Sequence, residues 1–254
     1  MKPRARFQFA SLRVFVGAFI GVFFLQLACA SNARAKDPDR VEWSKDWPRV
    51  RLVEVINVVG LTLASYLISA EWTPPSQSRW SGPILFDKAV RSVLKGQTLS
   101  AQSSAADMAD YFYKFGTLAP YVVDVYAVAL GVHQNADVAL QMLLINIQSL
   151  GLSGVVTLAS ERVVARARPY VPDCGAGGMV RDATGKLLLN TCDHVGDDAS
   201  FYSGHAAATM TMAGTTCVHH QHLPLYGGGF PDLLPCLVML GMSGATGIGR
   251  IVAD

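Results

Sequence analysis

Apolar residues along this chain gather into long blocks separated by polar or turn-forming stretches. Residues 31–50 are polar and charged, with Lys36, Asp37, Asp39 and Arg40, and the first block then runs from Arg51 to Ala70, interrupted by Glu54 and Asn57. Pro74-Pro75 and the turn Ser81-Gly82-Pro83 end it, because proline cannot continue a helix and Ser-Gly-Pro favours a turn. Ile84, Leu85, Val90, Val93 and Leu94 recur at helical spacing and predict a helix over 84–94 buried on one side. Residues 97–106 are small and polar and read as a loop. Stronger apolar segments follow at Thr117–Val132 and from Val138 to about Ala159, ahead of Glu161 and Arg162. A loop at 169–200, rich in Gly, Asp and Cys, separates these from His205–Val218 and Leu233–Val252, again apolar and helical in character. No stretch sustains the two-residue alternation of a half-buried strand, and no internal repeat is present. The fold class is all-α.

Composition moves that bundle towards a membrane. Hydrophobic residues make up 51% of the chain and charged ones 16%, against about 25% charged in ordinary soluble domains. Small residues along 203–216 and 241–249 would let helices approach closely in lipid. Asp124, Glu54 and Asn57 are tolerable there only if they face the bundle interior. Lys2, Arg4, Arg6 and Arg13 precede an apolar core from Val14 to Leu27, and Ala28-Cys29-Ala30 or Ala33-Arg34-Ala35 offers a cleavage site. Residues 1–35 therefore read as a signal peptide, with an N-terminal anchor as the alternative. Residues 36–136 supply the first helices of the bundle and 137–254 its core. Three traverses from an exported start leave Arg168 inside, whereas Lys45, Arg49 and Arg51 argue that the flank before the first block is itself inside. A net charge of +2, without basic runs interleaved with aromatics, excludes nucleic acid as the partner. Export also makes disulfides possible. Cys174 and Cys192 bracket the polar loop and form the expected pair, while Cys217 and Cys236 fall in or beside apolar segments.

Three groups of residues carry candidate chemistry. Arg168-Pro169 ends a helix with a guanidinium able to grip two phosphate oxygens, although many such arginines only cap the helix dipole. In Tyr202-Ser203-Gly204-His205, Gly204 allows a tight helix entry, where backbone N–H groups and the Ser203 hydroxyl can meet an anion. His205 titrates near neutrality and can protonate a departing alkoxide; the plain alternative is a capping serine followed by a packed histidine. Arg250, near the end of an apolar helix, must snorkel, pair or bind an anion. Cys217-Val218-His219-His220-Gln221-His222 invites a metal reading. Adjacent histidines diverge on a helix, and no second ligand pair stands at suitable spacing, so the cluster reads as a polar helix–loop boundary. No metal or cofactor is expected. His219 would also stand ~20 Å from His205 along one helix. Asp193, His194, Asp197 and Asp198 read as a solvated loop.

Together the three groups resemble the type 2 phosphatidic acid phosphatase and vanadium haloperoxidase superfamily, whose signatures are Lys-x6-Arg-Pro, Pro-Ser-Gly-His and Ser-Arg-x5-His-x3-Asp in this order. The resemblance spans about Asp137 to Asp254. It implies a helical bundle, membrane-embedded, that hydrolyses lipid phosphates, diphosphates or other phosphomonoesters without a divalent metal, with its site facing the periplasm or cell exterior. Carried over by position, Arg168 binds phosphate, Ser203 and Gly204 cradle its oxygens, His205 is the general acid and Arg250 a second clamp. The sequence departs from the pattern at three places. Glu161 stands where the family has lysine, with Arg162 and Arg166 as possible substitutes; Tyr202 replaces the proline; and the nucleophilic histidine would fall six residues after Arg250, past Asp254. On this reading the chain is truncated within the third motif and binds phosphate without turning it over. The rival expectation is a non-catalytic membrane protein whose pocket binds an anionic headgroup.

Overall fold

The computed structural model describes residues 41–73, 78–80, 82, 84–168 and 201–253. The expected leader over 1–35, the Cys174–Cys192 pair and the acidic group Asp193–Asp198 lie outside them. Among the described residues six α-helices appear: α1 Leu52–Glu71, α2 Asp87–Leu94, α3 Leu99–Ala119, α4 Ala136–Val164, α5 Gly204–His222 and α6 Phe230–Ala253. A π-helical segment, Pro120–Val132, continues α3. Among the described residues no strand occurs, only an isolated bridge between Trp80 and Arg166.

Residues 97–106, expected as a loop, are the beginning of α3 instead. Thr98 caps it, its hydroxyl accepting the Ala101 N–H at 3.2 Å, which supplies a partner to one of the orphan donors of a helix start. The small residues that suggested a loop are what let α3 lie tightly on α6. A β-carbon added at Gly249 would stand 3.0 Å from Ala109 Cβ and 3.2 Å from the Ala105 carbonyl oxygen. At Pro120 the ring has no N–H to donate and would crowd the carbonyl four residues earlier. The chain passes that point by widening into π turns, which finish with His133 N–H donating to the Val128 carbonyl at 2.9 Å.

Helix α5 sits among α3, α4 and α6, while α1 packs on α4. Successive passages run in alternating directions. At one end, Asn135 Nδ2 donates to the Val41 carbonyl at 2.8 Å, Arg49 pairs with Asp137 at 2.6 Å and the Trp47 ring meets His222 edge-on. Beneath these contacts lies the larger core, with Val41, Val123, Val128, Val138, Met142 and Leu225 among its members. At the other end, Gly96 N–H bonds to the Val252 carbonyl at 2.9 Å and Ser160 Oγ to the Phe201 carbonyl at 3.2 Å. Arg168, Ser203 and Arg250 all belong to this second end.

Four stretches, Leu52–Glu71, Ser100–Val132, Ala136–Val164 and Phe230–Ala253, are long and apolar enough to cross a membrane. Helix α1 buries none of its residues and leaves Leu52, Ile56, Val59, Leu63 and Tyr66 exposed. An apolar surface that protein does not cover suits lipid. Asp124, flagged as tolerable only inside, is buried at 3% exposure; Asn57 is exposed. Cys217 and Cys236, placed by the sequence in or beside apolar segments and given no pairing there, form a disulfide with Cα atoms 4.4 Å apart. The antiparallel α5–α6 hairpin brings them face to face, a register that one-dimensional spacing does not show.

Candidate functional site

The site is assembled from three places at the second end of the bundle. The first is the exit from α4. Ala165 takes a left-handed conformation, φ 45°, and turns the chain out of the helix. Arg79 N–H then donates to the Ala165 carbonyl at 2.9 Å and Ala167 N–H to the Trp80 carbonyl at 2.8 Å. This short parallel pairing holds the segment that leads to Arg168. Arg162 and Arg166, the candidates to replace the missing lysine, have other partners: Arg162 Nε donates to the Trp72 carbonyl at 2.7 Å, while Arg166 pairs with Asp87, donates to the Gly82 carbonyl and lies over the Trp80 ring. Arg168 differs, for its Nε is buried without a hydrogen-bond partner. A buried cationic donor left unmatched is rare and calls for an acceptor.

The second place is the start of α5. Ser203 is its N-cap, the hydroxyl oxygen accepting Ala206 N–H at 3.4 Å, so the plain capping role is real; the hydroxyl hydrogen stays available to donate. Gly204 sits in close approach to α4, since a β-carbon there would stand 3.3 Å from Thr157 Cγ2 and press on it. His205 stands on the first turn, its ring tilted 47° against that of Tyr113 of α3 with ring centres 4.3 Å apart.

Helix α6 supplies the third. Its close packing at Gly249 brings Arg250 against α3, where Arg250 Nη1 lies 3.4 Å from Asp110 Oδ1. The same oxygen stands 3.2 Å from His205 Nε2. Asp110 therefore links two motif residues that are 45 positions apart in sequence (250 − 205). Burial first, then the Arg250 guanidinium, holds the His205 imidazole below its usual range; Asp110 pulls it up, and Arg168 adds to the downward push. Both arginine charges thus reach His205. The geometry offers two guanidinium groups, a helix N-terminus and an imidazole that a bound anion would make easier to protonate.

Asp110 and Tyr113 escaped the sequence reading because the stretch before Thr117 gave no apolar block. The motif residues Arg168, His205 and Arg250 are brought together, with Ser203 and Gly204 at the adjoining helix start. His219 and His220, read as a polar boundary, are buried instead at 4% and 5% exposure. His220 Nδ1 lies 2.7 Å from Asp232 Oδ1, and its Nε2 3.4 Å from Asp124 Oδ1. Tyr226 Oη donates to Asp124 at 3.1 Å. This group ties the π-helical segment, α5 and α6 together at the first end of the bundle. Gln221 and His222 are exposed at the helix end, as is Val218 a turn earlier.

Comparison of the chain with known protein families, with curated proteins and with solved structures finds no match.

Proposed function

We propose that this chain is a membrane-associated protein of the type 2 phosphatidic acid phosphatase kind, whose pocket receives the phosphate of a lipid phosphate or diphosphate or of a small phosphomonoester. The observation that carries the reading is the meeting of His205, at the N-terminus of α5, and Arg250 on one oxygen of Asp110, with the Arg168 charge acting on the same imidazole. Arg168 Nε, lacking a partner, takes one phosphate oxygen. Arg250 takes another on leaving Asp110, and the α5 N–H groups with Ser203 Oγ receive a third. His205 acquires a proton as the dianion arrives and delivers it to the leaving oxygen. The attacking histidine that the resemblance calls for belongs six positions after Arg250; binding is measured on residues 1–254 and turnover on a chain that includes that motif. No metal enters this scheme.

Inorganic phosphate titrated calorimetrically into the purified chain gives the test. Arg168→Ala is expected to weaken binding tenfold or more, since a hydrogen bond to a charged group contributes roughly 1.5–3 kcal/mol. Equal affinity for the variant and the parent chain would remove Arg168 from the site. A second reading, a non-catalytic headgroup binder, is favoured by Asp110 already engaging both His205 and Arg250 and by Glu161 in place of lysine. His205→Ala in the extended chain separates the two, because unchanged turnover excludes His205 as the acid.

Orientation in the membrane is argued by two features at the end away from the pocket. Lys45, Arg49 and Arg51 favour the inside for that end, and so an exterior pocket. The Cys217–Cys236 disulfide near the same end favours an oxidising compartment there. The reading adopted is the exterior pocket. Glu42→Cys labelled by an impermeant reagent only after lysis supports it, and labelling in intact cells reverses it.

A further inference from the structure

A second cavity lies at the opposite end of α5 from the phosphate pocket. It measures about 570 Å³, within the range of small-molecule sites. Trp43, Trp47, Ile145, Met210, Gly214 and His219 are among its lining residues. No lysine or arginine lines it, so an anionic headgroup would find no countercharge. Trp43 and Trp47 pack edge to face at 5.2 Å, and paired tryptophans at the end of an apolar bundle mark the water–lipid boundary.

His219 gives this cavity a polar point. It is 4% exposed, and both ring nitrogens lack a hydrogen-bond partner. A buried polar group in that condition loses its hydration without compensation. Its neighbour His220, one position on, hydrogen-bonds Asp232 through Nδ1 and faces the Asp124 carboxylate at 3.4 Å. Consecutive helix positions diverge by about 100°, and His219 makes no hydrogen bond to those carboxylates but lines the cavity. A neutral imidazole has one donor and one acceptor nitrogen. A hydroxyl group, which both donates and accepts, can satisfy either nitrogen; a hydrocarbon chain behind it fits the apolar wall.

The geometry points to a lipid-alcohol site: the cavity between α4, α5 and the Trp43–Trp47 segment takes a single-chain long-chain alcohol from the bilayer, its hydroxyl hydrogen-bonded to His219. The site is independent of the phosphate reading, since it uses none of Arg168, Ser203, His205 or Arg250.

Trp43 and Trp47 report on it directly. The full chain, with Trp72→Phe and Trp80→Phe to leave those two indoles, is placed in phosphatidylcholine nanodiscs and titrated with ω-bromododecanol or with bromododecane. Saturable quenching by the alcohol, with only weak and non-saturating quenching by the alkane, is expected. His219→Phe should raise the half-saturation concentration about tenfold, the equivalent of one lost hydrogen bond. Gly214→Leu should abolish saturation, because a β-carbon at Gly214 meets nothing within 4 Å and the side chain can enter the cavity without disturbing the helix. Identical curves for alcohol and alkane overturn the proposal, as does saturable quenching that survives Gly214→Leu. If His219→Phe fails to fold, the two probes and Gly214→Leu still decide.

Discussion

Asp232 offers the sharpest test of how the bundle is held. Its carboxylate is 4% exposed and serves three donors: His220 Nδ1 at 2.7 Å, the Gly228 N–H at 2.6 Å and the Tyr226 N–H at 3.1 Å. Asp232→Ala strips all three at once. Each buried donor left without a partner costs roughly 1–3 kcal/mol. Gly228 and Asp232 border a small cavity near the chain turn, so water can reach part of the group and the lower half of that range applies. The expected loss is about 4 kcal/mol, a large share of the ~5–15 kcal/mol that holds a typical protein folded. Asp232→Asn keeps one carbonyl oxygen and should lose roughly half as much. Denaturant unfolding in mild detergent, followed by tryptophan fluorescence, measures both. An Asp232→Ala protein within about 1 kcal/mol of the parent, or an asparagine variant less stable than the alanine one, would show that these contacts do not stabilise the fold as argued.

Three further outcomes follow from the same structure. His205 should titrate below 6.5 when followed by NMR and move upward on adding phosphate, because the arginine charges that depress it are then neutralised. A depressed histidine binds more protons unfolded than folded, so its contribution to stability is present above the unfolded pKa and lost as pH falls through the folded one; a chain with His205→Gln should lose that part of the acid sensitivity. Asp110→Asn should tighten phosphate binding by removing a competing anion and should raise the affinity most at low salt; weaker binding would make Asp110 a support of the pocket instead. Cys217→Ser with Cys236→Ser should lower unfolding stability by about 2–4 kcal/mol, as expected for a closed loop with a sequence separation of 19, and reducing agent should destabilise the parent chain more than the double variant.

The helices legible in the sequence are those whose burial or lipid contact needs a continuous apolar run. The blocks at Arg51–Ala70, Thr117–Val132, Val138–Ala159, His205–Val218 and Leu233–Val252 each correspond to a helix or to part of one. The start of α3 was not legible. Its alanines and serines satisfy a close interface with α6, and small residues selected for contact look the same in one dimension as small residues in a turn. Asp110 was lost with it. Asp124 announced that it must face inward, but nothing local named His220, 96 positions later (220 − 124), or Asp232 as its neighbours. Buried polar groups find their partners across the bundle, and only the packing of helices defines that choice. For the same reason the motif residues could be chosen by resemblance and local chemistry, whereas the carboxylate that links His205 to Arg250 could not.

On the phosphate proposal, Asp110 gives the pocket a tethered rival for the arriving anion. Held by α3 beside His205 and Arg250, it competes at an effective concentration on the order of millimolar or higher. A ligand of single charge, touching only Arg250, exchanges one carboxylate for another and gains little. A phosphate dianion that also reaches Arg168 Nε gains a contact Asp110 does not make. If the phosphate proposal holds, the pocket would filter by valence: chloride and simple carboxylates at ordinary cellular levels would be turned away, and selectivity would arise from an anion the protein carries within itself.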